Sequence, residues 1–187
     1  MDSPAAKPRL RYDRVALRFI RDLREQLAPQ LARREVAIAT IRAPILQAGK
    51  TLQALEEKFR ARRAGNDART ELTSRVFGNR IELRLLHGTG RGSDVLGFVY
   101  TEGTRPAVIA DAVQSLLVCL RPRSDIPRSA GADRWLVVRG ALAFADAYRD
   151  ACAQLSNLAP FANVVLVAED GRVETLGGRG AAGKRGE

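Results

Sequence analysis

Lysine is scarce in this 187-residue chain, with four against twenty-seven arginines. Histidine occurs once, cysteine twice, and aromatic residues make up only 5%. Each shortage removes a class of chemistry. A single histidine, His87, excludes histidine pairs and His-rich metal sites. Cys119 and Cys152 have no CxxC spacing, which argues against a structural zinc site. Both fall in apolar helical runs and read as small core residues. No apolar run approaches the roughly 20 residues that span a bilayer. No apolar signal core follows the N-terminus, because arginine recurs every few residues from Arg9 onward. The expectation is a cytoplasmic protein with no transmembrane segment, no metal and no cofactor.

What is abundant is arginine. The formal charge is +10. The guanidinium fork matches phosphate bidentately, so the excess reads as phosphate recognition. It also reads, more simply, as the imprint of a GC-rich genome, which writes Arg for Lys and favours Ala. With 45% hydrophobic residues a core can form, and the 28% charged residues mix both signs, unlike a disordered polyelectrolyte. The length fits one domain with an appended helix. Residues 1–8 are expected to be a disordered N-terminus, 9–34 a basic amphipathic helix, 35–176 an α+β domain, and 177–187 a flexible basic tail.

The strongest periodic signal is Asp13–Ala32. Ala16, Phe19, Ile20, Leu23, Leu27 and Leu31 form one apolar stripe, with Arg11, Arg14, Arg18 and Arg21 opposite, and Pro29 should end the helix. Val36–Ile41 reads as a strand buried on both faces, stopped by Pro44. A helix follows over about Lys50–Arg63. Val76–His87 alternates as a half-buried strand, and Asp94–Tyr100 is a continuous apolar one. The Gly-rich connector 88–93 makes the two a hairpin. Pro106 opens a further helix, Trp135–Arg139 reads as a buried strand, and a helix covers about Leu142–Asn157. Val164–Ala168 and Arg172–Leu176 form a terminal hairpin, with Asp170-Gly171 as a type I′ turn signal. After the first helix the leading elements run β-α-β-β-α-β, the ferredoxin-like order, so the fold class expected is α+β, one sheet-and-helix sandwich extended by a helix and a C-terminal hairpin.

Ala48-Gly49-Lys50-Thr51 between a strand and a helix resembles the end of a phosphate-binding loop, but Pro44 stands where the first glycine is required. His87 and Asp94 flank the Gly-rich loop, and with Arg91 they are the weak candidates for an enzyme acting on a phosphorylated substrate. Glu82, Asp94 and Asp111 invite a nuclease comparison, but no [DE]-x-K follows to complete a metal site. The basic clusters are the stronger lead: Arg11, Arg14, Arg18 and Arg21 on the first helix, Lys58, Arg60, Arg62 and Arg63 at the end of the second, and Arg91 in the loop. Such clusters bind polyanions by counterion release. No aromatic is clearly interleaved with the arginines as a base-stacking platform. The reading is a non-enzymatic binding or adaptor protein that takes nucleic acid or another polyanion. The alternatives are the loop enzyme, and a structural protein that self-associates or docks a partner through residues 13–32.

Overall fold

A computed structural model of the chain describes residues 10–65, 71–87, 93–101, 106–119, 134–155, 158 and 161–178. Residues 1–8 and the tail beyond Gly178, both expected to be loose, lie outside that set.

Helix α1 spans Arg14–Leu27. Asp13 caps it, accepting the Ala16 N–H at 2.9 Å, which satisfies one of the otherwise unpaired donors of the first turn. Pro29 ends it as the periodicity requires, in a short 3-10 turn over Ala28–Gln30. Then come β1 (Glu35–Arg42), α2 (Ala48–Ala64), β2 (Glu71–Val76), β3 (Asn79–His87), β4 (Asp94–Tyr100) and α3 (Pro106–Cys119). The chain continues through β5 (Trp135–Arg139), α4 (Ala145–Gln154), β6 (Asn163–Val167) and β7 (Val173–Gly177).

The described strands make two sheets. The first has the order β2-β3-β1-β4, with β1 antiparallel to β3 and parallel to β4. The second has the order β5-β6-β7, with β5 parallel to β6 and β6 antiparallel to β7. The alternation within β1 shows how the layers stack. Ala37, Ala39 and Ile41 pack with Phe19, Leu23 and Leu27 of α1 and with Leu55 and Phe59 of α2. Val36 and Ile38 face the opposite core, which joins α3, α4 and the inner face of the second sheet through Leu116, Tyr148, Val138 and Leu166. The stripe of α1 is therefore buried in the chain's own core. Val15 and Leu17 are the apolar residues of that helix left exposed.

The α+β class and the double burial of Val36–Ile41 hold, while the ferredoxin-like arrangement does not. That fold would pair Val76–His87 with Asp94–Tyr100 as a hairpin. Instead β1 lies between β3 and β4, and Trp135–Arg139 has left for a separate sheet. An additional strand, β2, takes the hairpin with β3 that the sequence spacing predicts for β4. Strand β5 is buried on one face only, with Trp135 and Val137 exposed. The 168–171 turn has positive φ at Gly171 alone, whereas a type I′ turn needs it at both central residues. Ala168 accepts the Gly171 N–H and donates to Arg172 O, as in a type I turn closed by a glycine bulge.

The free edge of β4 is closed from two directions. Gln154 at the end of α4 accepts the Gly97 N–H at 2.7 Å and donates to Gly97 O at 2.9 Å. Further along, the Arg11 N–H donates to Val99 O, and Leu10 bridges Tyr100. Capping an edge in this way removes a template for unwanted strand addition. It also sets the segment that carries Arg11 beside the end of the sheet.

Candidate functional site

Pro44 has no N–H to give a ladder, so β1 stops at Arg42 and the chain crosses to α2 over residues 43–47. One buried side chain holds that crossing. Asn79, only 2% exposed, accepts the Leu46 N–H at 2.8 Å through Oδ1. Its amide nitrogen donates towards Leu46 O (2.8 Å), Thr51 Oγ1 (2.8 Å) and Val76 O (3.1 Å). The Thr51 hydroxyl in turn donates to Leu46 O at 2.9 Å. In a phosphate-binding loop this hydroxyl would serve a magnesium ion. Here it is buried and engaged in the Asn79 network, so the resemblance of Ala48–Thr51 to such a loop ends at the helix start.

Asn79 also closes the turn between β2 and β3. Phe77 (φ 47) and Gly78 (φ 82) both sit in the left-handed region, which makes this the type I′ hairpin turn. Two-residue turns fix strand register. The register places Arg75 directly opposite Arg80, one on each strand and both exposed.

Between this turn and the 43–47 crossing lies an open groove of about 1060 Å³. Arg11, Arg42, Arg75 and Arg80 reach it from four separate segments, alongside Asn79 and Thr101. No carboxylate stands among the described residues that line it. Arg80 pairs with Glu82 at 2.9 Å, and Arg11 lies 3.5 Å from Asp13. Both pairs are largely exposed on the arginine side, and such contacts are worth at most about 1 kcal/mol, so an incoming anion can replace them. A smaller hollow of about 460 Å³ opens between α1 and the start of α2, with Arg14, Arg18, Asp22 and Gly49 in its walls.

The sequence clusters are dispersed. Arg11 belongs to the groove, and Arg14 and Arg18 to the smaller hollow. Arg21 lines a different cavity, between α1 and α4, and pairs with Asp22 at 2.9 Å. The group at the end of α2 is tied down. Lys58 donates to Ser74 Oγ, Arg60 pairs with Glu56, and Arg62 donates to Glu71 O. Arg63 stacks over Phe59 and reaches the fully buried Glu35 carboxylate at 2.5 Å. Arg91 lies outside the described residues, as does the rest of the 88–92 loop. His87 and Asp94 come to the same end of the sheet but are separated by β1, since His87 pairs with Glu35 and Asp94 with Val36. Glu35 Oε1 lies 3.6 Å from His87 Nε2, a partner for that histidine which the sequence did not reveal. Glu82 and Asp111 do not form a cluster: Glu82 meets Arg80, and Asp111 meets Arg84 at 2.9 Å.

Three groove residues, Arg42, Arg75 and Arg80, escaped sequence reasoning because they are not clustered along the chain. The available signal was Arg75-Val-Phe-Gly-Asn-Arg80, two arginines bracketing a short turn. Its phenylalanine is exposed, whereas Phe19 and Phe59 within the other clusters are buried in the core.

A further cavity of about 630 Å³ lies between α1 and α4, with Leu17, Ile20, Arg24, Ala153, Tyr12 and Asp150 among its lining residues. Burial pushes the Asp150 carboxyl from its ordinary 3.8 up to about 6, and the neighbouring Asp146 charge adds to the effect. The Tyr12 hydroxyl is buried beside it, in a contact looser than a well-formed hydrogen bond.

The chain matches no protein-family model, no curated protein and no solved structure.

Proposed function

We propose that this protein binds a polyanion, the sugar–phosphate backbone of a nucleic acid, in the groove formed by Arg11, Arg42, Arg75 and Arg80. The observation that carries the reading is the Arg75–Arg80 pair. Like charges directly opposite each other on neighbouring strands destabilise a hairpin, and this hairpin holds two, relieved on one side by the exposed Arg80–Glu82 pair and with no carboxylate among the described residues that line the groove. A phosphate lodged between the two guanidinium groups turns that repulsion into two charge-assisted contacts. Arg11 and Arg42 extend the positive surface along the groove. Contacts of this kind neutralise phosphates without reading sequence, and their strength falls with salt.

Binding of a fluorescein-labelled 15-nucleotide strand, followed by anisotropy at 50 mM salt, tests this directly. The double variant Arg75→Glu/Arg80→Glu should lose at least about tenfold in affinity. The same reversal at Arg60 and Arg62, which face other partners, should cost far less. Equal losses at the two positions would show that only net charge matters, and no loss at Arg75 and Arg80 would discard the groove.

A further inference from the structure

We infer that Phe77 is a base-stacking side chain, so that the groove takes single-stranded rather than duplex nucleic acid, with an unpaired base laid on the ring. The inference rests on the polyanion reading and names the form of the ligand. Phe77 is 45% exposed, at the tip of the turn whose next residue, Gly78, lines the groove. It also stands at φ 47. Left-handed backbone is costly for a residue with a β-carbon, and Asn, Asp or Gly are the usual occupants of this turn position. An exposed phenylalanine there gains little from the core to offset that cost. A strained position with no packing reason is the kind that a binding role explains.

Its surroundings fit such a role. Arg75 and Arg80 sit directly beneath the tip, two residues before and three after Phe77, directly opposed on paired strands, which puts their β-carbons roughly 5 Å apart. A nucleotide whose phosphate is held by these two guanidinium groups has its base beside the turn. The turn is also held in place: a β-carbon on Gly78 would lie 3.1 Å from the Leu46 side chain, and Asn79 ties Leu46 to the start of β3. A ring on a fixed support above a phosphate clamp is the arrangement by which single strands are bound with little sequence preference. A duplex keeps its base faces stacked on one another and offers the ring nothing along its length.

The probes are labelled dT15, rU15, a 15-base-pair duplex, and an abasic 15-mer with the same number of phosphates. The informative variant is Phe77→Asn, because asparagine suits the left-handed turn and keeps the hairpin folded. Phe77→Trp restores a ring. For Phe77→Asn we expect dT15 and rU15 affinity to fall about 5- to 100-fold, abasic and duplex affinity to stay within twofold, and Phe77→Trp to bind dT15 at least as well as the parent. Unchanged dT15 binding in Phe77→Asn, or an equal loss on the abasic strand, overturns the stacking role while leaving the arginine groove intact. Failure of the parent protein to bind any of the four probes overturns the groove, and the stacking role with it.

Discussion

Replacing Asn79 with alanine should show how far the groove depends on one buried amide. The side chain joins three segments, Leu46, Thr51 and Val76, through one accepted hydrogen bond and two donated protons shared among three acceptors. A hydrogen bond contributes about 1 kcal/mol net, and a buried partner left without one costs about 1–3 kcal/mol. Thr51 is fully buried but keeps its own bond to Leu46 O, so its hydroxyl is not stranded. The Leu46 N–H loses its acceptor, in a part-buried setting on an otherwise exposed residue. Summed in this way, Asn79→Ala should destabilise the fold by about 3 kcal/mol, measured by urea unfolding followed by far-UV circular dichroism. A double-mutant cycle with Thr51→Val isolates the Asn79–Thr51 contact and should give a coupling of about 1 kcal/mol. A loss below about 1 kcal/mol for Asn79→Ala would mean that the 43–47 crossing is held by its own backbone, and the reasoning about the groove wall would fail.

Other consequences concern α1 and its neighbours. Gly97→Ala would place a β-carbon 2.8 Å from Ile20 Cγ2 and 2.9 Å from Cγ1, on a branched side chain with little room to move. We expect a cost of about 1–3 kcal/mol in the same unfolding assay, and a neutral result would contradict the packing of α1 on β4. Asp150 holds its proton more tightly in the fold than in the unfolded chain, since its ordinary value of 3.8 is raised to about 6. Its contribution to stability is therefore fully present below about pH 3.8 and is lost as pH rises through about 6. Because the residue is only partly buried, the loss should be about 1 kcal/mol rather than the full value of the shift. Asp150→Asn should be more stable than the parent by that amount at pH 8 and equal to it near pH 4, measured by thermal unfolding. A difference that does not vary with pH would refute the assignment.

The elements with strong periodicity were legible in the sequence. The α1 stripe, the double-sided burial of Val36–Ile41 and the apolar face of α3 follow from spacing alone. Strand pairing did not, because neighbours along the chain need not be neighbours in the sheet. The Gly-rich 88–93 connector suggests a hairpin, yet β1 supplies hydrogen-bond partners to both β3 and β4 and lies between them. Residues Glu71–Val76 carry Arg75 and Thr73 on an exposed face of an edge strand, which leaves little hydrophobic alternation to detect. The Phe77-Gly78 turn was missed because an aromatic occupies a place where Asn or Asp is the usual signal. The groove followed the same logic. Runs such as Lys58–Arg63 attract attention by local density, and there the structure spends the charges on Glu35, Glu56, Ser74 and backbone carbonyls. The arginines that face a common space are scattered over four segments, and only the sheet register brings Arg75 against Arg80.

The most direct test of the account is the salt dependence of binding to dT15. If each of the four groove arginines displaces one condensed counterion, the log–log plot of affinity against salt should have a slope of about −2.8 for a single strand. Replacing Arg75 and Arg80 with glutamine should bring the slope to about −1.4. A flat plot, or a slope that the two substitutions leave unchanged, would contradict the claim that this groove holds a phosphate backbone.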